Sequence, residues 1–217
     1  MSNKFWNSVV QCIDLLFDTT TEIQQQIFVD ACESGNIHLV NLLLECEIVD
    51  PSTDDNDAFC IASLNGHIDV VERLLHEDIS KVNPSANGNY AIRHASRCGH
   101  IDVVNRLLQE DRLIVDPSAN GNYAIREACE NGNFDVVDRL LQDDRVDPSA
   151  NKNWAIQCAS SKGFVEIVDR LLQEGVSRVD PSVFNNWAIC CATTKGYNAI
   201  VELLLQDPRV SNVTIKT

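Results

Sequence analysis

The 217-residue sequence has few basic residues, few aromatic residues and no long apolar run, and each shortage excludes a class of protein. Only 17 Lys and Arg stand against 32 Asp and Glu, which gives a net charge of −15. Nucleic acids and anionic lipids are polyanions that proteins capture with Lys and Arg, so we expect this chain to bind neither. No stretch approaches the ~18–20 consecutive apolar residues of a membrane span, and the N-terminal residues lack the pattern of a signal peptide.

The nine cysteines form no CxxC pair and no Cys/His set at zinc-finger spacing. We therefore expect no disulfide framework, no bound metal and no cofactor. No nucleophile motif and no phosphate-binding loop is present either, so we do not expect an enzyme with catalytic residues. Free thiols in apolar segments are typical of a reducing compartment, which predicts a cytoplasmic protein.

Glycine and proline are scarce, yet they recur at a fixed period. Pro-Ser begins at positions 51, 84, 117, 148 and 181, with spacings of 33, 33, 31 and 33. Glycines at positions 35, 66, 99, 132, 163 and 196 are spaced 31, 33, 33, 31 and 33 apart. A period near 33 indicates a repeat architecture.

One unit, residues 82–115, shows what each repeat contains. A first helix is predicted from Tyr90 to Cys98, with Asn89 as its N-cap and Gly99 as the left-handed residue that ends it. A second helix is predicted from Ile101 to Gln109, because its apolar residues recur at helical spacing. Neither helix could bury its apolar face alone, so the units must stack as an all-α solenoid.

The run Gly-His-Ile-Asp-Val-Val-x-Arg-Leu-Leu, at 66–75 and again at 99–108, closely resembles the second-helix signature of ankyrin repeats. The first helix departs from the usual Thr-Pro-Leu-His and reads Tyr-Ala-Ile-Arg or Trp-Ala-Ile. Together with Asp-Pro-Ser-Ala-Asn, it resembles the variant common in ankyrin proteins of amoebae and of the giant viruses that infect them. The resemblance covers about residues 22–210. It implies an ankyrin solenoid of six repeats over 21–217, the last acting as a C-terminal cap, after an N-terminal capping helix in 1–20.

One aromatic residue per repeat, at the start of the first helix, is the strongest candidate for partner binding. The set comprises Tyr90, Tyr123, Trp154 and Trp187. In ankyrin proteins these positions lie along the inner edge of the array, where partners usually bind, and aromatic residues are common anchors of interfaces. An internal ladder, in which each ring packs against its neighbour's turn, explains the same pattern.

Charge is distributed unevenly along the chain. Residues 1–72 hold 13 acidic residues and one basic residue, whereas residues 73–217 hold 19 and 16. On the predicted concave face, Asp54, Asp55 and Asp57 make the N-terminal end acidic, and Arg93, Arg97 and Arg126 make the following repeats basic. This predicts a partner whose basic segment docks at the acidic end. Random drift at solvent-facing positions explains the same distribution.

The family resemblance implies a non-catalytic protein-interaction module or adaptor that binds its partner through the concave face and loop tips. We expect a monomer in the cytoplasm, or in the host cytoplasm if the protein is viral. Two alternatives stay open. One is a structural repeat protein that self-assembles, and the other is a subunit of an enzyme complex, such as a substrate adaptor of a ubiquitin ligase.

Three other groups of residues have an interpretation that needs no binding site. His67 and His100 are expected to serve the turn after glycine. The adjacent pair Cys190 and Cys191 is expected to pack as small side chains, although it could form a reactive thiol cluster. Acid–arginine pairs four residues apart on the second helices, such as Asp69 with Arg73, are expected to stabilise exposed helix faces weakly.

Overall fold

The computed structural model describes residues 20–76, 81–109, 115–175 and 178–210, and within them it shows twelve helices and no strand. The helices are α1 (Thr21–Glu33), α2 (Ile37–Glu45), α3 (Thr53–Asn65), α4 (Ile68–Leu74), α5 (Ala86–Cys98), α6 (Ile101–Leu108), α7 (Ala119–Asn131), α8 (Phe134–Leu141), α9 (Ala150–Lys162), α10 (Val165–Gln173), α11 (Val183–Lys195) and α12 (Asn198–Leu205). They form six consecutive pairs, which confirms the predicted six-repeat helical solenoid. None of these helices is long and apolar enough to cross a membrane.

Each odd-numbered helix is the first of its repeat and packs against the first helices of the neighbouring repeats and against its own second helix. One apolar residue of every first helix and one leucine of every second helix are at most 1% exposed. These residues are Phe28, Phe59, Ile92, Ile125, Ile156 and Ile189, with Leu43, Leu74, Leu107, Leu140, Leu171 and Leu204. The core is therefore one continuous cluster that runs through all six repeats.

An Asx-Pro-Ser turn leads into every first helix except α1. The side-chain Oδ1 of the Asp or Asn accepts hydrogen bonds from the serine two residues later, from its N–H at 2.8–3.0 Å and its hydroxyl at 2.6–2.8 Å. The acceptors are Asp50, Asn83, Asp116, Asp147 and Asp180. Because proline cannot continue a helix and fixes its own φ, this turn stops one repeat and begins the next.

After this turn, three consecutive residues adopt the left-handed conformation before the right-handed helix begins. In α5 they are Asn87, Gly88 and Asn89, with φ values of 52°, 62° and 62°. The Asn89 N–H donates to the Ser85 carbonyl at 2.9 Å, which closes one left-handed turn. The segment is rich in Asn, Asp and Gly because these residues tolerate left-handed φ at least cost.

The third left-handed residue is always asparagine, and its side chain joins two repeats. The Oδ1 atoms of Asn56, Asn89, Asn122 and Asn153 each accept a hydrogen bond of 2.7 Å from the backbone N–H that begins the Asx-Pro-Ser turn of the next repeat. In the first repeat, Gln25 takes this role and bonds both the N–H and the carbonyl of Asp50. In the last repeat, the buried Oδ1 of Asn186 has no partner among the described residues. The prediction that Asn89 caps its own helix is therefore wrong.

The glycine that ends each first helix from α3 onward has left-handed φ, as predicted for Gly99 (φ 82°). Except in the last repeat, this glycine also lies against a side chain of the next repeat, so that a Cβ on Gly66 would come within 2.4 Å of the His100 ring. The Nε2 atom of His100 bonds the Leu64 carbonyl at 2.9 Å, and that of His67 bonds the Glu33 carbonyl at 2.8 Å. These histidines have the predicted structural role in the turn, because their hydrogen bonds connect it to the preceding repeat.

Arginines of the second helices also bond across repeats. The Nε of Arg73 donates to Asn41 Oδ1 at 2.7 Å, that of Arg139 to Asn105 Oδ1 at 3.1 Å, and that of Arg170 to Asp138 Oδ1 at 2.6 Å. The expected pairing of Arg73 with Asp69 is not formed, because the guanidinium group points to the neighbouring helix. These side chains therefore hold adjacent repeats together.

The predicted capping helix in residues 1–20 falls outside the described residues, apart from Thr20. The prediction that the last repeat acts as a C-terminal cap stays a prediction.

We predict that the asparagine bond between repeats contributes measurably to stability. Asn153→Ala leaves the half-buried N–H of Asp180 without its acceptor, and an unsatisfied donor costs up to about 1–3 kcal/mol where it is fully buried. Asn151→Ala is the matched control, because Asn151 is also left-handed (φ 51°) but is exposed and has no side-chain hydrogen bond in the described part of the chain. Urea unfolding should show a greater loss of unfolding free energy for Asn153→Ala, and equal losses would contradict the prediction.

Candidate functional site

The solvent-facing side of the first helices, together with their left-handed entry turns, carries all ten residues predicted to bind a partner. We call it the first-helix face. Helices packed side by side have axes about 8–10 Å apart, so equivalent residues recur along this face at roughly that spacing. Its character changes from the N-terminal to the C-terminal repeats.

Repeats one and two form its acidic end. Asp54 and Asp55 are exposed left-handed residues of the α3 entry turn, and Asp57 is exposed at the start of the right-handed part. Asp54 and Asp57 line an open groove between α1 and α3 with Glu22 and Asp50. The structure thus brings the three predicted aspartates together on one turn and adds two carboxylates from repeat one and the loop.

Among the described residues, Asp50 is the carboxylate of this groove that has side-chain partners. Hydrogen bonds from Ser52 lower its pKa, and Lys81, whose Nζ lies 3.7 Å away, lowers it further. The hydrogen bonds of the Asx-Pro-Ser turn therefore favour the ionised form of Asp50. Asp54 and Asp57 face solvent and remain available to a partner.

Repeats three and four carry a ladder of packed rings. The ring of Tyr90 stacks on His94 with centroids 3.9 Å apart, and His94 lies 5.8 Å from the ring of Tyr123. Arg93 contacts both tyrosine rings, at 5.9 Å and 5.2 Å. Burial, reinforced by Arg93 and Arg97, lowers the pKa of His94, so its imidazole is neutral at pH 7.

The predicted arginines of these repeats are engaged within the protein. Arg93 donates to the carbonyls of Gly88 and Asn87, and Arg126 donates to the equivalent carbonyls of Gly121 and Asn120. The exposed Arg97 forms an ion pair with Glu127 at 3.7 Å. The guanidinium groups of Arg93 and Arg126 therefore stabilise the left-handed turns through these hydrogen bonds.

Repeats five and six present their aromatic residues to solvent. Trp154 is 41% exposed and Trp187 is 40% exposed, whereas Tyr90 and Tyr123 are half-buried. The four predicted aromatic residues thus divide into a packed pair and a solvent-facing pair.

Sequence reasoning missed a third aromatic residue at this end, Phe184. Its side chain is 56% exposed, and its backbone is left-handed, with φ 52°. The signal was available in the sequence, because every equivalent residue is Asp or Asn, namely Asp54, Asn87, Asn120 and Asn151. The Nζ of Lys152 lies 5.3 Å from the centre of the Phe184 ring, which joins the turns of repeats five and six.

The buried cysteines that the structure describes are not activated as nucleophiles. Burial raises the pKa of Cys32 to about 12 and that of Cys158 to about 11, and it raises the pKa of Cys129 as well. Burial also raises the pKa of Cys191. In the part of the chain that the structure describes, no group of three or more His, Cys, Asp or Glu residues is arranged to hold a metal ion.

The fold defines a class, that of helical repeat proteins, and the comparisons identify the family within it. A family model described as "Ankyrin repeats (3 copies)" matches residues 6–85, 59–152 and 125–216. The chain belongs to the ankyrin-repeat family. No curated protein matches it. A solved structure of an ankyrin repeat family protein from Legionella pneumophila is similar, with 18% identity, a TM-score of 0.47, and coverage of 88% of this chain and 74% of that one.

We predict a graded rather than a selective thiol reactivity. Cys98 and Cys190 are exposed, so iodoacetamide should label them at the rate of ordinary free thiols, whereas Cys32 and Cys129 should react only after unfolding. Site-resolved mass spectrometry of the time course measures each rate separately. One cysteine that reacts far faster than Cys98 would contradict this expectation and would support a catalytic thiol.

Proposed function

We propose that this chain is a non-catalytic interaction module that binds a partner protein through the first-helix face and its entry turns. Ankyrin repeats are generally protein-interaction modules, which supports this class of function. The observation that carries the assignment to this face is the exposure of Trp154 and Trp187 on adjacent repeats. Large apolar rings turned to solvent on one surface are typical of protein-binding sites.

The partner should also contact the acidic end. Glu22, Asp54, Asp55 and Asp57 are all exposed on or beside the groove between α1 and α3, and no Lys or Arg occurs within α1 or α3. Charge complementarity then favours a partner with a basic segment, docked over repeats one and two.

The biological setting proposed is an adaptor that acts as a monomer in a reducing cytoplasm. The scattered cysteines support the reducing compartment, since none of those described is paired. The repeated Asp-Pro-Ser-Ala-Asn turn supports a source among amoebae or the giant viruses that infect them, in which case the cytoplasm is that of the host.

We predict that replacing the four aromatic residues Tyr90, Tyr123, Trp154 and Trp187 by Ala abolishes capture of the partner. Affinity capture from the native cell, with quantitative mass spectrometry, compares this variant with the wild type. Val165→Ala is the matched control, because Val165 is also apolar and exposed (38%) but lies on α10, a second helix. If the quadruple variant folds, as circular dichroism would show, and still captures the same proteins, this face is not the binding surface.

We predict a separate effect at the acidic end. Asp54→Asn with Asp57→Asn should weaken capture and reduce its dependence on salt, because exposed charges act over about 8 Å at physiological ionic strength. Capture at low and high salt should give a smaller difference for this variant than for the wild type. An unchanged salt dependence would show that the partner's basic segment, if it has one, docks elsewhere.

A further inference from the structure

The first helices of repeats five and six are basic, although the whole chain has a net charge of −15. Within α9 and α11 there are three lysines, Lys152, Lys162 and Lys195, and no acidic residue. The contrast with α1 and α3, which hold only acidic charges, means that the two ends of the first-helix face suit partner groups of opposite sign.

The lysines and the tryptophans have a regular arrangement on these two helices. Lys162 follows Trp154 by eight residues and Lys195 follows Trp187 by eight residues, so each pair lies on one helix face about 12 Å apart. Cys158 and Cys191, four residues after each tryptophan, lie between the two groups, and Ser161 and Thr194 complete the row. Each helix therefore has an exposed aromatic ring near one end and an exposed ammonium group at the other, separated by small side chains, of which Cys158 is buried.

Phe184 enlarges the aromatic part at a cost to stability. A bulky residue with φ 52° is strained, and a ring that is 56% exposed gains little from burial. The other four repeats with this turn place Asp or Asn here, which relieves the strain. A strained residue that keeps a large apolar surface in solvent is typical of a binding site.

We infer that the first-helix face of repeats five and six binds an acidic protein segment with an apolar anchor. The anchor, a leucine or a phenylalanine, packs on Phe184, Trp154 and Trp187, and carboxylates about three or four residues further along an extended segment reach Lys162 and Lys195. This inference rests on the proposed function and names the chemistry of the partner at the end opposite to the acidic groove. The partner would then carry basic residues for repeats one and two and acidic residues for repeats five and six.

Aromatic rings beside lysines also suit single-stranded nucleic acid, on which bases stack. The observations favour the protein segment. Only three lysines lie on these two helices, too few to neutralise the phosphates of a nucleic-acid strand. The fifteen excess negative charges would oppose a polyanion of any length.

The test uses the full chain and synthetic peptides of about 12 residues, long enough to span both helix ends. The probe is a Gly/Ser peptide with one leucine followed, four residues later, by two glutamates. One control peptide has lysines in place of the glutamates, another has serine in place of leucine, and a thymidine oligonucleotide of similar length tests the nucleic-acid alternative. Trp154 and Trp187 are two of the three tryptophans in the chain, so tryptophan emission reports directly on this surface.

We expect saturable quenching or a blue shift with the acidic leucine peptide. Binding of either control peptide should be about fivefold weaker or more, and the oligonucleotide should give no saturation. Lys162→Glu with Lys195→Glu should reverse the preference between the acidic and the basic peptide. No response to the acidic peptide, an equal response to the basic one, or tighter binding of the oligonucleotide would each overturn the inference.

The Phe184→Asn variant should change peptide binding and protein stability in opposite directions. It should weaken the binding of the acidic peptide by about fivefold to tenfold, as loss of an aromatic anchor does. It should also raise the melting temperature of the protein by about 2–4 °C. Asn185→Ala, in the same exposed turn, is the control and should leave peptide affinity unchanged. Unchanged affinity in the Phe184→Asn variant would overturn the role of Phe184. If the peptides show no charge preference while the quadruple aromatic variant still loses its captured partner, this inference fails and the proposed function stands.

Discussion

A single hydrogen bond, repeated from one unit to the next, holds this array in register. The side-chain oxygen of an asparagine in a left-handed turn accepts the N–H of the residue that begins the next repeat, at 2.7 Å in four successive junctions. Everything on the first-helix face depends on it, because the same turn sets where the following helix begins. The histidines and the second-helix arginines connect the other side of the junctions from repeat one to repeat five.

The sequence predicts much of this fold, and the part that it does not predict has a definite physical reason. Spacing of glycine and proline locates every repeat, and helical periodicity locates both helices, because both signals are local. The local pattern predicts Asn89 as a helix cap, since asparagine before an apolar helix usually caps it. Its real acceptor role depends on a backbone N–H 27 residues away, which no local pattern reveals. Arg73 was misassigned for the same reason, because its partner Asn41 belongs to another repeat.

The candidate site could likewise be predicted from the sequence only in part. Position along the repeat identifies the four aromatic residues, but only packing distinguishes the half-buried tyrosines from the exposed tryptophans. His94 fills the space between Tyr90 and Tyr123, whereas the corresponding residues beyond Trp154 and Trp187 are the small Cys158 and Cys191. Phe184 could have been noticed as the one departure from a column of Asp and Asn. Only its exposure and backbone conformation indicate a binding role, because a phenylalanine in a buried turn would simply be part of the core.

The junctions also accommodate repeats of different length. The asparagine and its N–H partner are 27 residues apart in three junctions and 25 apart in the one between Asn122 and Asp147, yet the bond length is the same. From the second repeat onward, each entry segment contains both an Asx-Pro-Ser turn and the asparagine whose side chain can accept the N–H of the next such turn. A repeat copied, deleted or exchanged by recombination at this turn would meet a compatible neighbour. The array can therefore gain or lose repeats, because each new junction would form the same hydrogen bond. A change in the number of repeats would alter the distance between the acidic and the aromatic end.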